Sequence, residues 1–270
     1  MEKNLSVPTT NSLQNNQFQI RLELAKNWVR EAGCYLKENL AAPIEITKKT
    51  RYDDLVTNFD HKVQKMLVKN ILHHFPGDVI LAEEDQEKVK FDEEIPHIWI
   101  LDPIDGTTNF IVQKDHFAVM LAYYEYGVGK FGLIFDVMQD KLYWCDDHKA
   151  FCNQRELEAK KQFLHQSLLG VNSYLYHTNN SGLLDLSQQT LGVRISGSAG
   201  ISYGQLLEGK ILAYFSNLQP WDYAAGSIIA EKLGYSTLTF SGEKPHFNNR
   251  EKVFTAPIAL LPEIQNYLKN

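Results

Sequence analysis

The chain has 270 residues, of which 44% are hydrophobic and 22% are charged, and its formal net charge at pH 7 is −6. This composition is typical of a globular protein with a substantial apolar core, and the net negative charge argues against a nucleic-acid-binding scaffold, which usually carries a basic patch. No run of about 18 or more apolar residues occurs and the polar start lacks an apolar signal core, which argues against a membrane span and against secretion.

The first half of the chain predicts two helices followed by a group of strands. Residues 1–17 are polar and predict a flexible lead-in to a first helix from about Phe18 to Leu40, with apolar residues at helical spacing. A second helix is predicted to begin near Asp60 and to end at Pro76-Gly77. The predicted strands that follow are Val79–Ala82, His97–Leu101, Phe117–Tyr124, Gly132–Val137 and Lys141–Cys145.

The last third alternates between strands and helices. The predicted elements are the strand Leu168–Val171, the helix Ser198–Leu207 with Ser198 near its N-cap, the strand Ile211–Phe215 and the helix Asp222–Leu233 closed by Gly234. Because strands cluster after two helices, we predict an α+β layered fold rather than strict βα alternation. We expect one domain over residues 18–270, with two halves that divide near residues 150–160.

Two carboxylates follow directly on a strand of buried composition. The segment Asp102-Pro-Ile-Asp-Gly-Thr107 predicts a tight acidic turn, in which Pro103 fixes one φ angle and Gly106 allows an unusual backbone conformation. Such a turn can direct Asp102, Asp105 and the carbonyl oxygen of Ile104 at one point, and hard cations such as Mg²⁺ prefer these oxygen ligands. A surface β-turn is the alternative, and the apolar strand leading in favours a site.

Two further acidic positions gain interest beside this turn. Glu83 also follows a short apolar strand; alone it would suggest a solvated loop, but adjacent strands would bring it close to Asp102. Asp222 lies where a helix starts, which favours an acidic residue on electrostatic grounds alone, and it could also close a metal site.

The remaining candidates are weaker alone. Asp60 either starts the second helix or accepts a hydrogen bond from a catalytic hydroxyl, and Lys49 lies either in a basic loop over the site or on plain surface. The small-residue turn Gly197-Ser-Ala-Gly200 opens a helix and offers backbone N–H groups to an anion or a hydroxyl.

Taken together, these segments resemble the inositol monophosphatase family from about Phe18 to the C-terminus. The similar motifs are DPIDGTTNF from Asp102, WDYAAG from Trp221, DLVTNFD from Asp54 and the paired glutamates at Glu83, and their order and spacing agree with the family. The resemblance implies an α-β-α-β-α sandwich and a homodimer.

The resemblance also implies the roles of individual residues. Metal ligands fall on Glu83, Asp102, the Ile104 carbonyl, Asp105 and Asp222. Thr107 would help Glu83 to activate the attacking water, and Asp60 would hold Thr107 in place. The implied substrate contacts are Asp105, Gly106, Thr107, Ser198, Ala199 and Asp222. About two to three Mg²⁺ ions would reverse the negative charge of the pocket, activate water and stabilise the leaving oxygen.

Several positions depart from the family pattern. Ala82 stands where a glycine usually precedes the glutamates, and Gln154 ends a turn that usually ends in glycine. Leu212 replaces an aspartate, and Ser216 occupies the position at which animal members place a glutamate against the inositol hydroxyls. We therefore expect an intact metal site with an altered specificity for the alcohol. Because Leu212 and Ser216 depart from the family pattern, the sequence does not identify that alcohol.

The family resemblance implies a Mg²⁺-dependent, lithium-sensitive phosphomonoesterase acting on inositol monophosphate or a related polyol or sugar phosphate. The alternatives are a phosphatase of the same family acting on fructose 1,6-bisphosphate, a nucleotide 3′-phosphate or NADP, or a member with an added role as a partner of the transcription machinery.

The three cysteines, Cys34, Cys145 and Cys152, are widely spaced without a CxxC motif, which argues against disulfides and a zinc site and predicts a cytoplasmic location.

Overall fold

The structure is a computed structural model that describes residues 10–49, 55–85 and 89–269, with side chains from residue 17 onward. Its helices are α1 (Thr10–Glu38), α2 (Asn58–His74), α3 (Thr107–Val112), α4 (Ser173–Thr178), α5 (Leu183–Ser187), α6 (Ala199–Leu207), α7 (Pro220–Glu231) and α8 (Leu261–Gln265), with short 3-10 turns at Leu164–Gln166 and Ile258–Leu260. Its strands are β1 (Ile46–Lys48), β2 (Leu55–Thr57), β3 (Val79–Ala82), β4 (Ile98–Asp105), β5 (Ala118–Glu125), β6 (Val128–Asp136), β7 (Lys141–Cys145), β8 (Ala150–Cys152), β9 (Arg155–Glu156), β10 (Leu169–Val171), β11 (Val193–Arg194), β12 (Ala213–Leu218), β13 (Tyr235–Thr239) and β14 (Glu251–Pro257).

Two large sheets carry the fold. Within the described residues, the first has seven strands in the order β3-β4-β5-β6-β7-β8-β9, of which β3 and β4 are parallel and the later neighbours antiparallel. The second has five strands in the order β11-β10-β12-β14-β13, and β10 is parallel to both β11 and β12. The strands change from the first sheet to the second between Glu156 and Leu169. The predicted division into halves near residues 150–160 stays a prediction about domains.

Helices cover both sheets and fill the space between them. Helices α1 and α2 pack on the outer face of the first sheet, with Val29, Val63 and Leu67 in its core. Helices α6 and α7 contact both sheets, and α4, α5 and α8 bury Leu175, Leu186 and Ile264 against the far face of the second sheet. The predicted α+β architecture with α-β-α-β-α layers is therefore confirmed.

Small residues set the close approach of α7 to the first sheet. Ala224 and Ala225 of α7 are fully buried or nearly so, and a Cβ atom placed on Gly132 of β6 would lie only 2.8 Å from the carbonyl carbon of Ala225. Any larger residue at Gly132 would push the helix away from the sheet. This tight contact holds the N-terminus of α7, and Asp222 with it, over the ends of β3 and β4.

Several element boundaries differ from the predictions. Helix α1 begins at Thr10 rather than at Phe18, so residues 10–17 of the predicted lead-in are helical. Strands β13 and β14 were not predicted. The helix α3 was not predicted either, because six residues are too few to show a helical period. Among the described residues, no helix combines the length and the apolar character that crossing a bilayer requires.

Candidate active site

The ends of β3 and β4 bring the first two acidic segments together. These parallel neighbours pair Ala82 with Leu101, and the backbone N–H of Glu83 donates to the Leu101 carbonyl at 3.2 Å. Glu83 therefore lies beside Asp102, as we predicted from the expectation that their two strands are neighbours.

A β-bulge near the end of β4 turns its two carboxylates toward one point. Asp102 pairs with Met120 of β5 and Asp105 pairs with Ala118, so β4 has one residue more than its partner over this stretch. Residues three apart in a regular strand face opposite sides of the sheet, and the extra residue puts Asp102 and Asp105 on the same side. The predicted tight turn is wrong in this detail: the strand continues through Asp105, because the bulge supplies the bend that a turn would have made.

Gly106 joins β4 to α3 in a conformation that disfavours other residues. Its φ angle is +87°, and a Cβ atom here would lie 2.9 Å from the Cβ atom of Ser198. Thr107 is consequently the first residue of α3, with its hydroxyl at 3.0 Å from the Ile104 carbonyl oxygen.

The third carboxylate comes from the start of α7. Asp222 accepts a hydrogen bond from the backbone N–H of Gln219 at 2.9 Å and so takes part in capping the helix. Carboxylate oxygens of Asp102, Asp105 and Asp222 nevertheless all lie within 4.8 Å of one another. The structure thus confirms that Asp222 starts the helix and places it beside two other carboxylates, while its role as a metal ligand stays a prediction.

The start of α6 fixes the orientation of Asp105. The Ser198 hydroxyl, which is also the N-cap of the helix, donates to one carboxylate oxygen of Asp105. The backbone N–H groups of Ala199 and Gly200 donate to the same carboxylate at 2.9 and 2.7 Å. Ser198 and Ala199 are thus placed at the site, with these donors engaged by Asp105 itself.

Asp60 and Thr107 form a second small network. The Thr107 hydroxyl lies 3.3 Å from Oδ1 of Asp60, while Oδ2 of Asp60 accepts from the backbone N–H and the hydroxyl of Thr57 at 2.8 and 2.5 Å. Asp60 is fully buried in the first turn of α2. It therefore combines the two roles that the sequence left open, starting the helix and binding a hydroxyl. Asp54 of the same motif lies outside the described residues.

Lys49 is engaged with the paired glutamates rather than lying free on the surface. Its ammonium is 2.9 Å from Oε1 of Glu83 and also contacts the carboxylate of Glu84. Burial lowers the pKa of Lys49, but Glu83 and Glu84 raise it more, so that it is held above its ordinary value. Burial and the charge of Glu83 raise the pKa of Glu84 to about 7, against the effect of Lys49.

The three clustered carboxylates resist ionisation. Burial raises the pKa of Asp102 well above its usual range, and the charges of Glu83, Asp105 and Asp222 raise it further. Burial also raises the pKa of Asp222 to about 8. Burial raises the pKa of Asp105 to only about 6, because the donors at the start of α6 favour its charged form. Such a cluster would be relieved by a cation.

These groups open into a cavity of about 240 Å³. Its lining includes the predicted residues Glu83, Asp102, Ile104, Asp105, Gly106, Thr107, Ser198, Ala199 and Asp222, together with Asn172, Ser173, Ser216, Asn217 and Arg250. Sequence reasoning missed Asn172, Ser173, Asn217 and Arg250, because single polar residues in loops and at strand ends carry no pattern. The acidic end of the cavity suits Mg²⁺, since its ligands would be carboxylate and carbonyl oxygens.

The two positions expected to alter specificity separate in the structure. Ser216 of β12 is buried and lines the cavity. Leu212 is fully buried in the apolar core on the far face of the second sheet and does not line it. The expectation that Leu212 bears on the alcohol pocket is corrected: the residue just before β12 faces the core, where an apolar side chain packs well.

Comparison with known proteins identifies the family of this chain. A family model described as the inositol monophosphatase family matches residues 19–268. The inositol-1-monophosphatase of Bacillus subtilis is 37% identical over 229 residues, covering 82% of this chain and 86% of the relative. The fructose-1,6-bisphosphatase/inositol-1-monophosphatase of Thermotoga maritima is 28% identical over 237 residues, covering 87% and 91%. The Nus factor SuhB of Escherichia coli is 28% identical over 231 residues, covering 82% and 85%.

Solved structures share the fold over most of their length. An IMPase/NADP phosphatase complexed with Mg²⁺ and phosphate superposes with a TM-score of 0.84 at 25% identity, covering 93% of this chain and 95% of that chain. A Staphylococcal inositol monophosphatase-1 soaked in 100 mM LiCl also gives a TM-score of 0.84 at 25% identity, covering 93% and 94%.

Proposed function

We propose that this chain, which belongs to the inositol monophosphatase family and is a phosphoric monoester hydrolase, hydrolyses inositol monophosphate or a related polyol or sugar phosphate with the help of Mg²⁺. The observation that carries the proposal is the cluster of Asp102, Asp105 and Asp222, whose carboxylate oxygens lie within 4.8 Å of one another at one end of a cavity. A phosphate monoester is a dianion, which these carboxylates alone would repel.

The residues at this end fit a magnesium site. Buried carboxylates with raised pKa values gain most from a hard cation, and oxygen ligands are those that Mg²⁺ prefers. Glu83, Asp102, the Ile104 carbonyl, Asp105 and Asp222 would hold the metal. Bound Mg²⁺ would neutralise the pocket, lower the pKa of water and stabilise the leaving oxygen. Two to three ions per site remains the expectation from the family resemblance.

Thr107 is the residue that we assign to orienting the attacking water. Its hydroxyl proton is directed toward the Ile104 carbonyl and Asp60, which leaves the oxygen lone pairs to accept a hydrogen bond from water. Glu83, at the end of the neighbouring strand, would share this role and accept the proton. Asp60 would act as a positioning residue, because it contacts Thr107 and not the reacting atoms.

The substrate phosphate would lie against the adjoining starts of α3 and α6. Gly106, Thr107, Ser198 and Ala199 all line the cavity, and Gly106 lies directly beside Ser198. Ser198 and Ala199 already donate to Asp105, so their contribution to substrate binding would come through the position of that carboxylate. Asp105 and Asp222 would also lie within reach of the substrate.

Phosphate release from inositol 1-phosphate tests the proposal. Purified protein should release phosphate with Mg²⁺ and lose this activity in EDTA, and lithium should inhibit it, as expected for the family. Full activity in EDTA would refute the metal mechanism. A panel of sugar, polyol and nucleotide phosphates, including fructose 1,6-bisphosphate and NADP, would separate the alternative substrates of the same family.

We also propose that the protein is a cytoplasmic homodimer. Val112, Leu191 and Ile195 are 73%, 68% and 52% exposed, and the Asn109 side chain ties α3 to the segment at Ser196 with a 2.9 Å hydrogen bond. Large exposed apolar residues on adjoining segments are typical of an interface. Light scattering should give twice the mass of the chain, and Ile195→Ser should shift the equilibrium toward the monomer. A wild-type monomer at micromolar concentration would contradict this.

A further inference from the structure

A second cavity, larger than the active site, lies at the opposite end of α7. Its volume is about 880 Å³, against about 240 Å³ at the active site, and the two cavities share no lining residue. Asp222 at the start of α7 lines the active site, whereas Ser227, Ile228 and Glu231 near its end line the second cavity. We call it the edge cavity; its other walls are residues 91–94, 235–238 and 243–248. The function proposed above does not use it.

One wall of the edge cavity is the outer edge of β13. Residues 235–238 of this strand all line the cavity, whereas no residue of β14 does. Successive side chains of a strand point to opposite faces of the sheet, so a cavity that meets all four residues but not the neighbouring strand lies against the strand's edge. Within the described residues, β13 pairs with β14 and is the last strand of the second sheet.

The register of the second sheet identifies the backbone groups of β13 that bond to β14. The N–H of Ile258 donates to the Gly234 carbonyl oxygen at 3.0 Å. Hydrogen-bonded pairs alternate along an antiparallel ladder, so the next residues of β13 that bond to β14 are Ser236 and Leu238, which pair with Ala256 and Phe254. The residues between them direct their N–H and C=O groups away from β14.

Tyr235 and Thr237 therefore offer donors and acceptors to the cavity. The next residue of the same parity, Thr239, follows this pattern, because its N–H donates outside the ladder to the Glu243 carbonyl at 2.8 Å. In the part of the chain that the structure describes, no backbone hydrogen bond of Tyr235 or Thr237 is recorded on this side. These groups can pair with another extended chain.

Strand β13 lacks the features that usually protect an exposed edge. Proteins blunt such edges with charged side chains, proline, a bulge or a very short strand. β13 has five residues, YSTLT, in regular register with β14, whereas the edge strands β9 and β11 have two each. Its edge is long enough, and free enough of charge, to accept a further strand.

The other walls of the edge cavity are acidic and aromatic. Carboxylates outnumber lysines by five to one, since Lys244 lies among Asp92, Glu93, Glu94, Glu231 and Glu243. None of the ion pairs between described residues involves these five carboxylates. Three rings in the lining contact one another with centroids 4.9, 5.4 and 5.5 Å apart, those of Phe91, Tyr124 and Phe247. A basic partner with some apolar side chains complements this lining.

We propose that the edge cavity binds an extended, basic segment of a partner protein, which adds to β13 as a further strand of the second sheet. Main-chain hydrogen bonds to Tyr235 and Thr237 would hold the segment, and its lysine or arginine side chains would pair with the surrounding carboxylates. Its apolar side chains would contact the aromatic rings. The surface is separate from the active site, so the inference does not depend on the proposed hydrolysis.

A labelled, acetylated peptide of sequence Lys-Val-Lys-Val-Lys-Val is a direct probe of this surface. Fluorescence anisotropy should show saturable binding to the wild-type protein, and the acidic counterpart Glu-Val-Glu-Val-Glu-Val should bind at least about tenfold more weakly. Binding should also weaken as salt is added, because the carboxylates at the cavity are exposed and screened.

Thr237→Pro tests the main-chain pairing. Proline removes the N–H that points away from β14 and leaves the bonds of the neighbouring residues to β14, so the peptide should bind about tenfold more weakly. Thr237→Val is the matched control, because it loses the same hydroxyl contact with Thr255 but keeps the backbone N–H. It should bind the peptide like the wild type.

A second pair of variants tests the charge. The double variant Glu231→Gln and Glu243→Gln should weaken binding of the basic peptide by about threefold to tenfold and reduce its salt dependence. Two exposed glutamates away from the cavity, in the double variant Glu156→Gln and Glu263→Gln, give the same change in net charge and should leave binding unchanged.

Several outcomes would overturn the proposal. These are no binding of the basic peptide, equal affinity of Thr237→Pro and Thr237→Val, or displacement of the peptide by an equal concentration of spermidine, which would mean that charge alone decides. A wild-type protein that light scattering shows to lose a subunit contact in Thr237→Pro would place a second copy of the chain at this edge instead. If circular dichroism shows that Thr237→Pro is unfolded, the N-methylated form of the peptide replaces it: with the wild type it should bind at least about tenfold more weakly, and equal binding would refute strand addition.

Discussion

Asp105 and Ser198 lie 93 residues apart in the chain, and the hydroxyl of Ser198 donates a hydrogen bond to the Asp105 carboxylate. The same hydroxyl caps α6 by accepting from the backbone N–H of Ile201 at 3.1 Å. One side chain therefore both starts a helix of the middle layer and orients a proposed metal ligand at the end of β4. The stability of this region and the geometry of the site depend on each other here.

Removing this hydroxyl should affect both properties. In Ser198→Ala, the lost N-cap and the lost hydrogen bond to a buried carboxylate should lower the free energy of unfolding by about 1–3 kcal/mol. The Mg²⁺ concentration for half-maximal activity should rise, because Asp105 is less well oriented and less readily ionised. Urea unfolding and a Mg²⁺ titration of the activity measure the two effects.

Ser227→Ala is the control for this prediction. Its hydroxyl donates to the carbonyl of Ala224 within α7, a contact that contributes little to stability. A Ser198→Ala protein with the unfolding curve and Mg²⁺ dependence of Ser227→Ala would show that the Asp105 contact is dispensable.

The sequence predicted which residues lie together at the cavity better than it predicted their local geometry. The alternation of apolar runs and acidic ends placed Glu83 and Asp102 on neighbouring strands, and register in the first sheet bears this out. The bulge between Asp102 and Asp105 could not be predicted, because it depends on pairing with β5 and not on the local residues.

Long-range contacts explain the other differences. Arg250 gains a place at the cavity only because β14 pairs with β12, and β14 was not predicted as a strand. Leu212 stands where the family pattern has an aspartate, yet it directly precedes β12 and is buried in the apolar core on the far face of the second sheet. Ser198 was predicted as an N-cap from its local sequence, because capping is a property of adjacent residues.

Neutralising Asp222 should have opposite effects on stability and activity. Asp222→Asn keeps the shape of the side chain and can still accept from the Gln219 N–H, but it removes a half-buried carboxyl group whose pKa is raised to about 8. At pH 8.5 without metal, the variant should melt at a higher temperature than the wild type, since the repulsion among carboxylates is reduced. Its turnover with Mg²⁺ should fall by about 100-fold or more. Asp102→Asn should behave in the same way.

Thermal melting with and without Mg²⁺ checks the predicted change in stability, and turnover measured with Mg²⁺ checks the predicted loss of activity. Mg²⁺ should raise the melting temperature of the wild type and much less that of Asp222→Asn. Asp147→Asn, a change at an exposed aspartate, should respond to Mg²⁺ like the wild type. A variant that is both less stable without metal and fully active with it would remove Asp222 from the site.

The stability of the metal-free protein should fall as the pH rises. The pKa values of Asp105 and Asp222 are raised by burial to about 6 and about 8 in the folded state, whereas an aspartate in the unfolded chain titrates near about 3.9. Between these values the folded state binds more protons than the unfolded state, so ionisation destabilises the fold as pH increases. For each proton that the folded state retains and the unfolded state has lost, the free energy of unfolding falls by about 1.4 kcal/mol per pH unit.

Melting curves in EDTA from pH 5.5 to 8.5 measure this dependence. The melting temperature should decrease across the range, and saturating Mg²⁺ should flatten the decrease by stabilising the ionised carboxylates. Glu208 serves as an internal contrast, because hydrogen bonds from Lys141, Lys210 and Tyr143 outweigh its burial and lower its pKa to about 2, so it contributes no slope in this range. A melting temperature that rises with pH in EDTA would contradict the assignment of a repulsive carboxylate cluster.

Thr107 and Asp60 should act as one unit in catalysis. The Thr107 hydroxyl lies 3.0 Å from the Ile104 carbonyl oxygen and 3.3 Å from Asp60 Oδ1, so its single proton is shared between two acceptors and its oxygen is held toward the cavity. Thr107→Val preserves the shape without the hydroxyl and should lower kcat by about 100-fold or more with little change in KM. Thr107→Ser should retain most of the turnover, because it keeps the hydroxyl at the start of α3.

A double-mutant cycle tests whether Asp60 acts through Thr107. Asp60→Asn should lower kcat less than Thr107→Val does, and the double variant should be no slower than Thr107→Val alone, because the positioning contact has no further target once the hydroxyl is gone. Steady-state kinetics with inositol 1-phosphate and saturating Mg²⁺ give the four rates, and urea unfolding of each variant controls for the Thr57 contacts of Asp60. Additive losses in the double variant would mean that Asp60 supports the site by a route that does not include Thr107, most directly through the capping of α2.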